Sequence, residues 1–176
     1  MTERIIIAGS GGQGVMLLGK LLAEAGMREN RFVTWLPSYG AEVRGGTSHC
    51  MVIVSDEPIG SPYIEKADTL IVMNQPSLKK FRQRLTAKGL LIINSSLVSS
   101  KSLKNAKTLK RPFTDIAIKI GNIKVANTVA LGAYLARRNI ANLKTIEQVI
   151  VDRGSKAHKH LIRINQQALQ EGVRLG

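Results

Sequence analysis

A chain of 176 residues with one cysteine and a net charge of +14 excludes several classes of protein at once. Its length predicts a single domain, residues 1–176, that buries a core without disulfides or structural metals. Cys50 alone forms no intramolecular disulfide and cannot supply the thiolates that hold a zinc ion or an iron–sulfur cluster. No apolar run approaches eighteen residues, so we expect a cytoplasmic protein without a signal peptide or a membrane span.

The first predicted unit is a strand, a glycine-rich turn and a helix. The apolar run Arg4–Ala8 predicts the strand, and the amphipathic stretch Val15–Arg28 predicts the helix. Between them, Gly9, Gly11 and Gly14 fit the GxGxxG pattern, whose glycines allow a tight turn, close approach of an anion and close packing of helix against strand. An anion bound there would meet free N–H groups at the positive end of the helix.

The second predicted strand argues against a nicotinamide dinucleotide site. Such sites place an Asp or Glu at the end of this strand to hold the ribose hydroxyls. Here the strand Phe32–Leu36 runs into Pro37 without an acidic residue. The glycine turn is therefore interpreted either as a site for a different anionic ligand or as a turn that serves packing alone.

A glycine-rich segment, residues 37–47, separates the second strand from the third. Arg44 offers a guanidinium fork that suits a carboxylate or phosphate, and Glu42 can orient it. The alternative is an internal ion pair between Glu42 and Arg44 that pins the loop. The residues assigned to ordering this loop or to an interface are Tyr39, Glu42, Gly45, Gly46 and Thr47.

The remaining elements alternate between strands and helices along the chain. Asn74 predicts a helix start, with Pro76 in the first turn and a body from Leu78 to Leu85. Thr114 is predicted to cap a short helix that ends near Gly121. The further strands are predicted at residues 48–55, 69–73, 90–94 and 107–112, and the further helices at residues 126–138 and 155–171. This order predicts an α/β fold, a Rossmann-like layered α/β/α domain with a mostly parallel sheet and a helical C-terminal region.

Basic residues are concentrated in the later part of the chain. Residues 1–60 hold five basic and six acidic side chains, and between Asp68 and Asp115 ten basic residues accumulate without one acid. This predicts a surface that attracts a negative partner. Nucleic acid is disfavoured because only Phe81 and Phe113 interleave with the charges. An acidic subunit, an acidic redox protein, an anionic cofactor and a solvated lysine-rich face stay open.

The histidines and the cysteine do not predict a metal site or a nucleophilic pair. His158 and His160 lie two apart on a predicted helix and do not share a face. His49 and Cys50 are neighbours in a predicted strand and point to opposite sides of the sheet. Cys50 is therefore interpreted as a small core residue.

Several segments together resemble the gamma subunit of the 2-oxoacid:ferredoxin oxidoreductases. The segments are residues 9–14, 35–47, 56–62, 72–77 and 126–133, with Asn165, Ala168 and Gly172 near the end. The resemblance covers almost the whole chain. It implies a complex that oxidatively decarboxylates a 2-oxoacid with coenzyme A to acyl-CoA, carbon dioxide and reduced ferredoxin. It also implies alpha and beta partner subunits, with or without a delta subunit, that hold thiamine diphosphate, magnesium and iron–sulfur clusters.

Within this resemblance the chain carries no catalytic residue and no metal ligand, and its glycine loop is interpreted as a contact for coenzyme A. The residues assigned to that contact are Gly9, Gly11, Gly12, Gln13, Gly14 and Arg44. Alternatively, both glycine-rich loops form a subunit interface. The motif sequences favour 2-oxoglutarate as substrate, with pyruvate, branched-chain 2-oxoacids and indolepyruvate as alternatives. Competing functions are a free-standing nucleotide-binding regulatory protein and a basic nucleic-acid binder.

Overall fold

A computed structural model describes residues 1–38, 47–99, 107–154 and 159–176. The strands are β1 Thr2–Ser10, β2 Phe32–Ser38, β3 Thr47–Ser55, β4 Ala67–Val72, β5 Leu85–Asn94 and β6 Lys107–Arg111. The helices are α1 Val15–Arg28, α2 Gln75–Phe81, α3 Phe113–Ile120, α4 Ala126–Leu135, α5 Leu143–Arg153 and α6 Lys159–Arg174. Two single-turn 3-10 helices cover Arg82–Arg84 and Ile123–Val125.

The strands of the described chain form one mixed sheet in the order β2-β3-β1-β4-β5-β6. β1, β4, β5 and β6 run parallel, whereas β3 is antiparallel to both of its neighbours, β1 and β2. The predicted α/β fold, with its mostly parallel sheet and helical C-terminal region, is confirmed. The insertion of β3 between β1 and β2 distinguishes this sheet from a dinucleotide-binding fold, in which the strand after the first helix lies beside the first strand.

Alternation along β1 divides the core between the two faces of the sheet. Ile5 and Ile7 point into the larger cluster, which also contains residues from α1 and from α3 to α6. Ile6 and Ala8 point into the smaller cluster, to which α2 alone among the described helices contributes. Side chains of a strand point alternately to the two faces, so one apolar run serves both clusters. The sheet is therefore covered thickly on one face and thinly on the other.

The observed helix ends show which of the helix bounds predicted from local sequence are confirmed. The Asn74 cap is confirmed, since its Oδ1 accepts a hydrogen bond from the Ser77 N–H at 3.0 Å. The helix that it starts ends at Phe81, because Leu85 already belongs to β5. The prediction that Thr114 caps α3 is wrong: the helix begins at Phe113, and the Thr114 N–H and hydroxyl both bond the Asn94 side chain.

The later helices follow the predicted order with different bounds. α4 ends at Leu135, before the predicted Arg138, and α6 extends to Arg174, beyond the predicted residue 171. The first part of that predicted helix, residues 155–158, lies outside the described residues. Along the part of the chain that the structure describes, no helix combines the length and apolar character needed to cross a lipid bilayer.

Candidate functional site

The candidate site lies at the carboxyl ends of β1 and β4, which are adjacent and parallel. After β1 the chain passes to α1 on the face of the larger cluster, and after β4 it passes to α2 on the opposite face. A crevice opens between parallel strands where successive connections depart to opposite faces, and α/β sheets bind ligands there. Residues 9–14, here called the glycine loop, connect β1 to α1 at this point, and Met73 and Asn74 connect β4 to α2.

The glycine loop depends on backbone conformations that only glycine adopts readily. Gly12 has a φ of +88° and Gly14 a φ of +70°, both in the left-handed region. Gly14 also lies against α4, where a Cβ would be 2.5 Å from the Asn127 Nδ2. That Nδ2 donates to the Gly14 carbonyl oxygen at 3.1 Å. The third glycine of the motif therefore serves the contact between the loop and α4.

The Gln13 side chain fastens the glycine loop to the neighbouring strand end. Its Oε1 accepts from the Ser10 N–H at 2.8 Å, and its Nε2 donates to the Met73 carbonyl oxygen at 3.2 Å. The Asn94 Nδ2 donates to the same Met73 oxygen at 3.3 Å. The backbone N–H of Gln13 is used as well, since it donates to the Ser10 carbonyl oxygen. Gln13 thus shapes the loop with both its side chain and its backbone N–H.

Only part of the GxGxxG motif is exposed. Gly9 is the last but one residue of β1, paired with Ser48, and a Cβ there would lie 2.7 Å from the Gln13 Oε1. Gly11 and Gly12 are exposed, and their N–H groups have no acceptor among the described residues. A Cβ at Gly11 would meet no atom within 4 Å. An anion can therefore reach two adjacent backbone donors beside the N-terminus of α1.

The β2–β3 hairpin ends at the same edge of the sheet. Thr47 lies opposite Ser10 in the register, and Ser38 lies opposite His49. The Thr47 Oγ1 accepts a hydrogen bond from the Lys80 Nζ at 2.9 Å. Five predicted site residues between the strands lie outside the described residues, namely Tyr39, Glu42, Arg44, Gly45 and Gly46.

His49 and Cys50 lie on opposite faces of β3, as predicted. Burial, and then the charges of Lys80 and Arg84, lower the pKa of His49 to about 4, and its ring centroid is 4.5 Å from that of Phe81. Burial raises the pKa of the Cys50 thiol to about 12, and its Sγ donates to the Val15 carbonyl oxygen. The neutral ring and the protonated thiol are core groups with no nucleophilic role.

The residues that support the loop were not assigned to the site from the sequence, although Met73 and Asn127 lie in two of the segments that carry the family resemblance. Met73 and Asn127 bond the loop directly, and Asn94 bonds the same Met73 carbonyl oxygen. Only Asn94 of these three has a local signal in the sequence, because it is a polar residue directly after the apolar residues 90–93. The structure buries it fully. Within the described ranges no group of three His, Cys, Asp or Glu side chains is arranged to hold a metal ion.

Comparison with known proteins identifies what the chain is similar to. The family model for pyruvate ferredoxin/flavodoxin oxidoreductase matches residues 4–175. The 2-oxoglutarate synthase subunit KorC of Archaeoglobus fulgidus is 36% identical over 173 residues, covering 98% of this chain and 87% of that subunit. The ketoisovalerate oxidoreductase subunit VorA of Methanothermobacter thermautotrophicus is 44% identical over 133 residues, covering 76% of this chain. The matched region is only 28% of VorA, so this chain corresponds to about a quarter of that protein.

One solved structure shares the fold almost completely. The 2-oxoglutarate:ferredoxin oxidoreductase from Magnetococcus marinus, with 2-oxoglutarate, coenzyme A and succinyl-CoA bound, superposes with a TM-score of 0.91 at 21% identity. The likeness covers 99% of this chain and 31% of the chain in that enzyme. At this identity the match establishes the fold.

Proposed function

Since this chain belongs to the gamma subunits of the 2-oxoacid:ferredoxin oxidoreductases, we propose that it serves a complex that oxidatively decarboxylates a 2-oxoacid with coenzyme A. The products are an acyl-CoA, carbon dioxide and reduced ferredoxin. Alpha and beta subunits, with or without a delta subunit, would hold thiamine diphosphate, magnesium and the iron–sulfur clusters. A chain with one cysteine cannot ligate such a cluster alone, which supports this division of labour.

The contribution proposed for this chain is to hold the anionic part of coenzyme A. The observation that carries the proposal is the pair of N–H groups on the exposed residues Gly11 and Gly12, which have no acceptor among the described residues. Two such donors at a helix N-terminus suit the pyrophosphate of coenzyme A, with a helix-end contribution of about 0.3–1 kcal/mol when exposed. The Magnetococcus marinus enzyme, which shares this fold over 31% of its chain, was solved with coenzyme A bound, and this supports the choice of ligand.

The remaining predicted site residues have supporting parts in this proposal. Gly9, Gln13 and Gly14 give the loop the shape that presents the two donors. Arg44 lies between β2 and β3 in the sequence, and the ends of these strands that flank it lie beside the end of β1; we propose that Arg44 adds a charge contact. Coenzyme A fixed at its pyrophosphate keeps a flexible arm, so its thiol can reach an active site in a partner subunit.

The 2-oxoacid proposed as substrate is 2-oxoglutarate. The support is the match to KorC over nearly the whole of both chains. Ketoisovalerate is the second candidate, favoured by the higher identity to VorA over a shorter region. The pocket that selects the acid would lie in the subunits that bind thiamine diphosphate, so the substrate has to be measured on the assembled complex.

The substitution Gly11→Asp tests the coenzyme A contact. Its side chain enters open space at a backbone conformation that any residue adopts, so folding of the chain should be unaffected. The added carboxylate repels a phosphate, and we expect the KM for coenzyme A to rise about tenfold with kcat nearly unchanged, a loss of about 1.4 kcal/mol. The measurement is steady-state kinetics of the purified complex with a viologen dye as electron acceptor.

Gly60→Asp is the matched control, because a Cβ at Gly60 also meets no atom within 4 Å and this residue lies near the opposite edge of the sheet. We expect its KM for coenzyme A to equal that of the wild type. An unchanged KM for coenzyme A in the intact Gly11→Asp complex contradicts the proposed contact, and loss of assembly in this variant favours an interface role for the loop.

A further inference from the structure

Asn94, at the carboxyl end of β5, is a polar residue that the core buries completely. Its side chain is 0% exposed, although the four residues before it in the strand are all apolar. Ile93 lies opposite Val72 in the register, so Asn94 lies beside Met73, the residue that follows β4. Burial of an amide costs stability unless the amide is hydrogen-bonded, so the bonds of Asn94 show which groups it holds in place.

Both polar atoms of the Asn94 side chain have partners. Its Oδ1 accepts from the Thr114 N–H at 3.3 Å. Its Nδ2 carries two hydrogens and donates to the Thr114 hydroxyl oxygen at 2.8 Å and to the Met73 carbonyl oxygen at 3.3 Å. The Met73 N–H donates to the Ala8 carbonyl oxygen at 2.8 Å. Thr114 thus orients the amide, and the amide helps to fix the backbone of Met73 against the end of β1.

The Met73 carbonyl oxygen is also the point at which the glycine loop is attached. The exposed turn of the loop is closed by two hydrogen bonds between Ser10 and Gln13. Gly11 and Gly12 lie between these two residues. Among the described residues, the bond from the Gln13 Nε2 to the Met73 carbonyl oxygen is the only hydrogen bond from the last three residues of this turn to a part of the chain beyond the loop. The direction of the two free N–H groups therefore depends on the position of this oxygen.

We propose that Asn94 is a positioning residue for the binding of coenzyme A. It holds the Met73 carbonyl oxygen in the position from which Gln13 sets the direction of the two free N–H groups. The inference rests on the proposed function, in which these N–H groups bind the pyrophosphate. Asn94 is fully buried and acts without contact with the ligand. Donors that are held in place before binding lose less conformational entropy on binding, which increases the affinity.

The test is Asn94→Asp in the assembled complex. The new side chain has almost the same shape and keeps an oxygen for the Thr114 N–H, but an oxygen replaces the donor to the Met73 carbonyl oxygen. We expect the KM for coenzyme A to rise about fivefold, with kcat and the KM for the 2-oxoacid nearly unchanged. The Kd of coenzyme A, measured by isothermal titration calorimetry without 2-oxoacid, should rise by the same factor.

A double-variant cycle with Gln13→Glu tests whether the effect passes through Met73. Gln13→Glu removes the Nε2 donor and keeps the oxygen that accepts the Ser10 N–H, so it detaches the turn from the Met73 carbonyl oxygen. Once the turn is detached, the position of that oxygen no longer affects it. We therefore expect the KM for coenzyme A of the double variant to equal that of Gln13→Glu alone. Effects of the two substitutions that multiply in the double variant would overturn the proposal.

Thr69→Val is the matched control, because it also removes a fully buried hydrogen-bond donor with almost no change of shape. The Thr69 hydroxyl donates to the Glu3 carboxylate at 2.6 Å, toward the amino ends of β4 and β1 and outside the hydrogen bonds of the glycine loop. Its KM for coenzyme A should equal that of the wild type. An equal rise in this control, or an unchanged KM for coenzyme A in Asn94→Asp, overturns the proposal.

Asn94→Ala removes the same donor without adding a charge and should raise the KM for coenzyme A as well, so it provides the test if the buried carboxylate prevents assembly. Failure of the proposed function is distinct from failure of this inference. An unchanged KM for coenzyme A in Gly11→Asp contradicts the contact itself. A rise in Gly11→Asp without a rise in the Asn94 variants overturns only the role of Asn94.

Discussion

His49 is a residue whose protonation opposes folding. It is 9% exposed, its Nδ1 has no hydrogen-bond partner among the described residues, and Lys80 and Arg84 add to the cost of a positive charge there. Its pKa of about 4 in the folded chain compares with about 6.5 in an unfolded one. Between these values the unfolded chain binds more protons, so this residue makes stability fall as the pH falls.

We therefore expect the free energy of unfolding to decrease by up to about 1.4 kcal/mol per pH unit between about pH 6 and pH 4.5 through His49 alone. His49→Gln removes the titrating ring, so the difference between wild type and variant should narrow steadily across this range. The measurement is urea unfolding at a series of pH values. A difference that stays constant with pH would contradict the low pKa.

The residues of the glycine loop differ in how far the sequence predicts them. Gly12 and Gly14 are predictable because their requirement is local, a positive φ in a turn. The hydrogen bonds that hold the loop join Gln13 to Met73 and Gly14 to Asn127, across 60 and 113 residues. Such contacts depend on which elements pack together, and spacing along the chain does not encode that.

At the scale of elements, the crossing of α4 and α6 leaves no room for a side chain at either of its glycines. A Cβ at Gly132 would contact the Leu169 carbonyl oxygen, and one at Gly172 would contact the Val129 carbonyl oxygen. The two helices approach so closely because neither carries a side chain at the crossing. This crossing lies beside Asn127 and Thr128, which connect α4 to the glycine loop and to Asn165 of α6.

Gly132→Ala should destabilise the chain by about 1–3 kcal/mol, because the added methyl group meets backbone atoms that cannot move independently. Helix propensity alone would favour alanine by up to about 1 kcal/mol, so the sign of the change identifies packing as its cause. Thermal or chemical unfolding measures it. Gly60→Ala, where the methyl group enters open space, should stay within about 0.5 kcal/mol of the wild type. Equal or greater stability of Gly132→Ala would contradict the close crossing.

The strands were more predictable than the pairing between them. Apolar runs bounded by turns are strong local signals, and each predicted strand is found, with bounds shifted by two residues or fewer except at the start of β5, which lies five residues earlier than predicted. The antiparallel pairing of β2 and β3 follows from their eight-residue connection, which is shorter than the dozen residues that a parallel crossover needs. The spacing of the strands along the chain does not indicate that β3, and not β2, lies beside β1, because this pairing depends on tertiary packing.

At the scale of the whole molecule, the coverage of the sheet is asymmetric. One face carries α1 and α3 to α6, and the other carries α2. Arg28 and Arg153 pair with carboxylates, whereas the exposed Lys119, Lys124 and Lys144 form no ion pair among the described residues. The sequence predicted the excess of basic residues, but it did not predict which of them are paired, because Arg28 and Arg153 reach carboxylates on distant segments. The single domain over residues 1–176 and the cytoplasmic location stay predictions.

The measurement that tests the central claim most directly is purification of the native complex through a tag on this chain, at low salt. Its partners would be identified by mass spectrometry, and viologen reduction would be assayed with thiamine diphosphate, coenzyme A and a panel of 2-oxoacids. We predict cysteine-rich and thiamine-binding subunits, and reduction that requires both coenzyme A and 2-oxoglutarate. A chain that purifies alone, binds nucleotides and supports no 2-oxoacid-dependent reduction would contradict the account and favour a regulatory nucleotide-binding protein.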